Sequence, residues 1–200
     1  MPHSGPSRLQ RTASAFPEPE AIRRMAQFPN VRHAQDEDQE RIGGLWLDLL
    51  NEQADRDERF AVAEDALERW NNDYAVWLTD ETQAIFVAEQ EGTIEGFATA
   101  HRWGPPPIYA ESSEVYLDEL YVAPAARRQG LGTQLVHAVR HWAESLGAGR
   151  IRLQMMTANP EAQAFWESLG AEPFTTTMTM ELDPASDGAA DASSRQIGFR

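Results

Sequence analysis

Apolar side chains recur along this chain with two different periods, and the change of period separates helices from strands. Apolar residues three or four positions apart predict helices over residues 36–50 and 63–78. Residues 84–90 and 93–102 are strand-like instead, and the Glu91-Gly92 pair between them predicts a hairpin. The pattern therefore begins as two helices followed by antiparallel strands.

The second half of the chain adds further elements with clear start and stop signals. The other predicted strands are at residues 30–34, 114–122, 150–155 and 175–182, the last from its alternation of Thr and Met. A helix is predicted over residues 133–146, and Asn159, Pro160 and Gly170 mark the start and the end of another. Three successive prolines make residues 103–113 a loop.

The turn before the predicted helix 133–146 carries the most informative motif, Arg127-Arg128-Gln129-Gly130-Leu131-Gly132. Unpaired N–H groups at a helix start, together with the helix dipole, make such a turn an anion site. Glycine lets the main chain approach a phosphate because no side chain intervenes. The spacing is that of neither a nucleotide P-loop nor a dinucleotide fingerprint.

The motif is similar to the Arg/Gln-x-x-Gly-x-Gly/Ala pyrophosphate loop of GNAT acetyltransferases, and its flanks extend the resemblance. Leu120-Tyr121-Val122-Ala123-Pro124 resembles the fourth strand of that family and its exit, while residues 157–170 resemble its second acetyl-CoA motif. The resemblance spans residues 31–182. It implies an α/β (α+β) GNAT fold, with a central mixed, mostly antiparallel sheet of six to seven strands flanked by about four helices.

The same resemblance implies acetyl-CoA as cosubstrate and distributes its binding over three places. The main chain of Leu120, Tyr121 and Val122 is expected to meet the thioester and the pantetheine arm. The pyrophosphate is assigned to Arg127, Arg128, Gln129, Gly130, Leu131, Gly132 and Thr133. Asn159 is expected to contact the pantetheine arm, and Phe165 to pack near it. Arg127 and Arg128 are either phosphate contacts or plain surface charges, and the lack of acids between residues 120 and 132 favours the first interpretation.

Two positions depart from the catalytic residues usual in the family. Trp166 stands where many members have a Tyr that serves as general acid, and an indole N–H is not acidic. Gln154 stands nearest to a Glu that some members use as base, and an amide cannot take up the proton. Glu119 is the remaining candidate base, the alternative being a solvent-facing strand residue. Strict alternation predicts that Glu119 and Asp118 lie on opposite faces of the sheet.

Composition narrows the chemistry and the setting. The chain has no Cys, which excludes disulfides, thiolate zinc sites and a cysteine nucleophile, and no metal site is expected. All 17 basic residues are Arg, so no Lys can form a Schiff base, and the many Ala, Asp and Glu residues suggest a bacterial gene. The N-terminal segment lacks the apolar core of a secretory signal and no stretch approaches a membrane span, so a cytoplasmic location is expected.

The charge of the chain is unevenly spread. The net charge is -15, and residues 36–81 alone carry 15 acids against four Arg. Such a balance argues against nucleic acid as a partner, because phosphate binding needs a basic face. A negative field would favour a cationic amine as acceptor, whereas a solvated acidic surface is the other interpretation.

The sequence therefore predicts an acetyl-CoA-dependent N-acetyltransferase that acts directly, in a ternary complex, on a primary amine of a small cationic molecule. Residues 28–183 are expected to form the catalytic domain, with a disordered tail over residues 1–27 and a flexible tail over residues 184–200. Two alternatives stay open, an acetyltransferase for protein or peptide N-termini and a non-catalytic module that binds acyl-CoA. A homodimer is also left open, and neither nucleic acid nor membrane is expected as a partner.

Overall fold

The computed structural model describes residues 30–105, 108 and 113–180, which form one sheet of five strands flanked by four helices. The strands are β1 (Val31–His33), β2 (Gln83–Gln90), β3 (Thr93–Trp103), β4 (Glu114–Val122) and β5 (Arg150–Leu153). The helices are α1 (Gln39–Arg56), α2 (Ala66–Thr79), α3 (Leu131–Ser145) and α4 (Pro160–Ser168). This architecture confirms the predicted fold class, with fewer strands than the six to seven expected.

The five strands lie side by side in chain order. All neighbours are antiparallel except β4 and β5, which are parallel because α3 returns the chain to the same end of the sheet. The parallel pairing is short and runs only from Glu114 opposite Arg150 to Leu117 opposite Leu153. Beyond Leu117, β4 and β5 separate, and this separation opens the sheet where the predicted site lies.

Helices cover both faces of the sheet and bury two apolar clusters. Leu135 and Val139 of α3 pack against one face, whose strands contribute Phe86, Val115 and Leu117. On the other face α1 and α2 pack against β2 and β3, and the buried side chains there include Ile42, Leu45, Trp70, Tyr74, Val87 and Phe97. The helical spacing seen in the sequence therefore marks the sides of the helices that face the sheet.

The first helix is longer than its sequence pattern indicates. It extends to Arg56, whereas the sequence pattern predicts its end at residue 50. Gly43 does not break the helix. A Cβ atom built on it would lie 3.0 Å from Leu67 and 3.2 Å from Trp70, so glycine at this position lets α2 pack closely against α1.

Strand β4 contains one residue more than its partner. Thr99 lies opposite Glu119 and Ala100 opposite Leu117, which leaves Asp118 as the extra residue of a β-bulge. The bulge shifts the alternation by one position, so Glu119 faces α1 instead of following Leu117 into the cluster under α3. The prediction that Asp118 and Glu119 lie on opposite faces is therefore wrong, as their contacts show below.

The predicted last strand over residues 175–182 does not form within the described part of the chain. Residues 175–180 are extended without sheet partners, and Met178 and Met180 are 88% and 87% exposed. Alternation specifies a strand only when one of its faces is buried, and among the described residues nothing covers these side chains. Residues 181 and 182 lie outside the described residues.

Several predictions concern segments outside the described residues. These are the two tails over residues 1–27 and 184–200 and most of the proline-rich loop, including Tyr109 and Glu111. In the described part of the chain, no helix is long and apolar enough to cross a membrane.

Candidate active site

A cleft of about 920 Å³ lies where β4 separates from β5. One wall is the C-terminal half of α1, which contributes Leu49, Glu52, Gln53 and Arg56. The floor is residues 117–122 of β4, and the opposite wall is the start of α3 together with α4. The cleft thus brings together segments that are more than a hundred residues apart in the sequence.

The floor of the cleft is an unpaired strand edge. Residues 119–122 remain paired with β3, but among the described residues no strand pairs with residues 118–122 on the side of β5. Main-chain groups on that side are therefore open to a ligand, because each residue of a strand directs its N–H and C=O toward a neighbour. Leu120, Tyr121 and Val122, the three strand residues predicted to meet the cosubstrate, all line the cleft.

The predicted pyrophosphate loop has the backbone of an anion site. Arg128 and Gly130 both have positive φ angles, 66° and 86°, and α3 begins directly afterwards at Leu131. Such a turn at a helix start leaves N–H groups directed into one concavity, where the helix dipole adds positive potential. Within this loop the cleft is lined by Arg127, Arg128, Gly130, Leu131, Gly132 and Thr133.

Gln129 is the loop residue that does not line the cleft. Its side-chain oxygen accepts a hydrogen bond of 2.6 Å from Gln90, and its amide nitrogen lies 3.4 Å from the carbonyl oxygen of Ala125. The side chain thus fastens the loop to the end of β2. Only the main chain of Gln129 therefore remains for its predicted contact with pyrophosphate.

Arg127 is held by contacts that the sequence did not reveal. Its Nε donates to the carbonyl oxygen of Val122 at 2.8 Å, and its Nη2 donates to Glu52 Oε1 at 2.5 Å. The same Glu52 oxygen accepts a hydrogen bond of 2.9 Å from the hydroxyl of Tyr121. Burial disfavours the charge on Glu52, but the hydrogen bonds from Arg127 and Tyr121 outweigh it and lower the pKa of this carboxyl.

Helix α4 supplies the far wall of the cleft. Asn159 caps the helix as predicted, its Oδ1 accepting a hydrogen bond of 3.0 Å from the N–H of Ala162. It also lines the cleft, and its contact with the pantetheine arm stays a prediction. Phe165 and Trp166 also line the cleft, with their rings edge to face and 5.0 Å apart. Trp166 packs against the apolar cluster under α3, so it is a half-buried packing residue. Gln154 lies in the same cleft.

Glu119 lies on the floor of the cleft with both carboxylate oxygens engaged. Trp46 of α1 donates its indole N–H to Oε1 at 2.8 Å, and the hydroxyl of Thr99 donates to Oε2 at 2.6 Å. Burial raises the pKa of Glu119 above its usual value, although these two hydrogen bonds act in the opposite direction. Sequence reasoning did not identify Trp46 or Thr99, because the bulge that brings Thr99 opposite Glu119 was not recognised.

Asp118 reaches the same face of the sheet as Glu119. Its Oδ2 lies 2.8 Å from His101 Nδ1, and His101 and Thr99 are two residues apart on β3 and so share a face. The imidazole of His101 stacks on Tyr116 at 5.6 Å between ring centroids. Burial raises the pKa of Asp118, while the contact with His101 lowers it in part. Two carboxylates therefore stand side by side on the cleft floor.

The tyrosines beside these acids are poor proton donors. Burial and the hydrogen bond to Glu52 raise the pKa of Tyr121 to about 12, and burial with the charge of Asp118 also raises the pKa of Tyr116. Within residues 30–105, 108 and 113–180, no group of three or more His, Cys, Asp and Glu residues could hold a metal ion.

Part of the chain resembles known proteins and a known family. Over 97 residues it is 32% identical to the Uncharacterized N-acetyltransferase Rv2669 of Mycobacterium tuberculosis, an alignment that covers 48% of this chain and 58% of that protein. The chain thus spans a little over half the length of this relative. The model of the Acetyltransferase (GNAT) family matches residues 46–171 of the chain.

Solved structures share the fold over a longer stretch. A mutant of the BH1408 protein from Bacillus halodurans has a TM-score of 0.69 and 23% identity, covering 76% of this chain and 98% of that one. The aminoglycoside N-acetyltransferase AAC(6')-Iy, solved in complex with CoA, has a TM-score of 0.60 and 21% identity, covering 77% of this chain and 99% of that one. At these identities the likeness establishes the fold.

Proposed function

Because the chain belongs to the Acetyltransferase (GNAT) family, we propose that it transfers an acetyl group from acetyl-CoA to a primary amine. The observation that carries the proposal is the position of Glu119 on an unpaired strand edge that continues into an anion-binding loop. This arrangement suits a cosubstrate whose diphosphate end lies at the loop and whose thioester end lies at the strand edge beside Glu119. We propose direct transfer in a ternary complex; the chain has no Cys that could carry the acyl group.

We assign each part of acetyl-CoA to a part of the cleft. The diphosphate is assigned to the N–H groups at the start of α3, and the amide groups of the pantetheine arm are assigned to the open edge of β4. Phe165 and Trp166 provide apolar surface beside that edge. Main-chain N–H groups of β4 are placed to stabilise negative charge that develops on the thioester oxygen during attack.

Glu119 takes the role of general base. An ammonium group must lose a proton before its nitrogen can attack the thioester, and a partly buried carboxylate with a raised pKa accepts that proton directly or through a water molecule. The nitrogen–carbon bond then forms, the carbon–sulfur bond breaks, and the nitrogen loses its second proton. Trp166 has no acidic proton to give the leaving thiolate, so the proton lost by the nitrogen passes to the thiolate through water.

The acceptor we propose is a small cationic amine. Asp118 and Glu119 share the cleft floor, and α1, which forms one wall, belongs to the most acidic segment of the chain. Carboxylates attract a substrate cation through both their field and direct ion pairs. The structural likeness to an aminoglycoside acetyltransferase supports the same class of acceptor.

A panel of amines tests this choice of acceptor. Thiol release from acetyl-CoA should be faster with spermidine or an aminoglycoside than with an aromatic amine or an amino acid. The KM of the cationic acceptor should rise with salt, since surface fields are screened over about 10 Å at 0.1 M ionic strength. A preference for the amino acid, without salt dependence, would contradict the cationic acceptor and leave the acetyltransferase assignment standing.

Two other functions are separated by the same assay. An acetyltransferase for peptide N-termini would prefer a short peptide to every small amine in the panel. A non-catalytic module would bind acetyl-CoA in a calorimeter but release no thiol with any acceptor. Glu119 favours the catalytic function, because a module that only binds acyl-CoA has no need of a buried carboxylate at this position.

A further inference from the structure

The side chain of Arg127 faces α1, although Arg127 is the first residue of the pyrophosphate loop. Its Nε closes the turn after β4 by donating to Val122, and its Nη2 reaches Glu52 on α1. Its guanidinium also lies 5.3 Å from the centroid of the Tyr121 ring. With these contacts the guanidinium is fixed from three directions, so diphosphate binding falls to the main chain of residues 128–133 and to Arg128.

Glu52 is the point at which these contacts meet. One carboxylate oxygen accepts hydrogen bonds from Tyr121 at the end of β4 and from Arg127 at the start of the loop. The other oxygen lies 3.5 Å from Arg56, one turn further along α1. A single side chain of α1 therefore holds the strand edge and the loop in a fixed relation to each other.

The loop needs such support because its backbone is unusual. Arg128 has a φ angle of 66°, in the left-handed region that residues other than glycine rarely adopt. Conformations of this kind persist where neighbouring contacts enforce them. Arg127 directly precedes this residue, so the hydrogen bonds of Arg127 determine how the chain enters the turn.

We propose that Glu52 is a positioning residue for the diphosphate of acetyl-CoA, acting through Arg127 on the loop of residues 127–132. The inference rests on the acetyl-CoA specificity of the proposed function. Removing Glu52 has two opposing consequences, because it loosens the loop and also frees a guanidinium that could attract phosphate. We assign the larger effect to the loss of position, since Arg127 stays bonded to Val122 and faces the α1 wall.

Calorimetric titration with acetyl-CoA and steady-state kinetics with S-acetylpantetheine test this role. Glu52→Ala should weaken acetyl-CoA binding by about ten-fold, the effect of about 1.4 kcal/mol. S-acetylpantetheine, which lacks the diphosphate, should have the same KM with the variant as with the wild type. Combining Glu52→Ala with Arg127→Met should add little to either single change, because both remove the same pair. Glu52→Gln, which keeps an acceptor oxygen for both donors, should bind almost as well as the wild type.

A matched control removes a comparable ion pair elsewhere. Glu95 forms an ion pair of 3.2 Å with Arg41, and neither residue lines the cleft. Glu95→Ala should therefore leave acetyl-CoA binding unchanged. Tighter acetyl-CoA binding by Glu52→Ala, or an equal loss with S-acetylpantetheine, would overturn the positioning role. Unchanged binding by Glu52→Ala would overturn it as well. If the wild type failed to bind acetyl-CoA at all, the proposed function would fail, and this inference with it.

Discussion

At the scale of single residues, the chemistry depends on how Glu119 is surrounded. A carboxylate on an open strand would be an ordinary surface acid, but Trp46 and Thr99 enclose this one and donate to both of its oxygens. Burial and these two donors have opposite effects on its pKa, and burial is the larger effect. The site therefore keeps a base that takes up a proton more readily than a free Glu.

Replacing this residue should separate activity from stability. Glu119→Gln should lower kcat/KM by about 10²–10⁴-fold, the usual scale of general base catalysis, with acetyl-CoA affinity almost unchanged. The variant should also be more stable than the wild type at neutral pH. Because the folded-state pKa of Glu119 is raised, the wild type loses stability as the pH rises through that pKa, and the neutral amide avoids this loss.

Denaturant unfolding at several pH values checks the second part of this prediction. The stability difference between Glu119→Gln and the wild type should be small where Glu119 is protonated and should grow as the pH rises. A wild-type rate in the variant would mean that the amine loses its proton to water and that the protein mainly positions the reactants. A difference independent of pH would show that Glu119 titrates as it does in the unfolded chain.

At the scale of elements, the helices and the central strands could be predicted from the sequence, whereas the face of Glu119 could not be predicted from strict alternation. The apolar residues of β4 are at positions 115 and 117 and then at 120 and 122, so their phase changes at Asp118. That change of phase is the sequence signal of the bulge. Glu52 had no comparable signal, because its role depends on α1 continuing beyond residue 50 and on contacts distant in sequence.

The loop before α3 gives a prediction at the same scale. Gly130→Asp should reduce acetyl-CoA affinity by at least about 100-fold, because a carboxylate would stand where the N–H groups of the helix start bind phosphate. The fold should survive, since a Cβ atom at Gly130 meets no atom within 4 Å and Asp tolerates the left-handed backbone better than most residues. Calorimetry on the folded variant measures the loss.

Gly130→Asn is the matched control for this change. It has nearly the same size and the same tolerance of a positive φ angle but carries no charge. Its affinity should therefore lie between those of the wild type and of Gly130→Asp. Equal losses in the two variants would assign the effect to the added side chain, and near wild-type affinity in Gly130→Asp would remove the loop from the binding site.

At the scale of the whole molecule, the excess of acids sets the response to salt. A net charge of -15 on 200 residues produces self-repulsion that screening relieves. The melting temperature should therefore rise by a few degrees between about 20 and 200 mM NaCl at neutral pH. Repeating the series near about pH 5, where the carboxylates begin to be protonated, should flatten the dependence. A flat dependence at neutral pH would mean that local ion pairs already compensate these acids.

The separation of β4 from β5 also affects how readily the protein aggregates. An unpaired strand edge is a template on which other chains can add strands and aggregate, and proteins commonly block such edges with charges, bulges or covering segments. Here the edge is recessed in a cleft and bears Asp118, Glu119 and a bulge, so the features that suit it to a substrate also protect it from other chains. A bound ligand with amide groups along its length completes the block, which makes the ligand-free protein the form most exposed to aggregation.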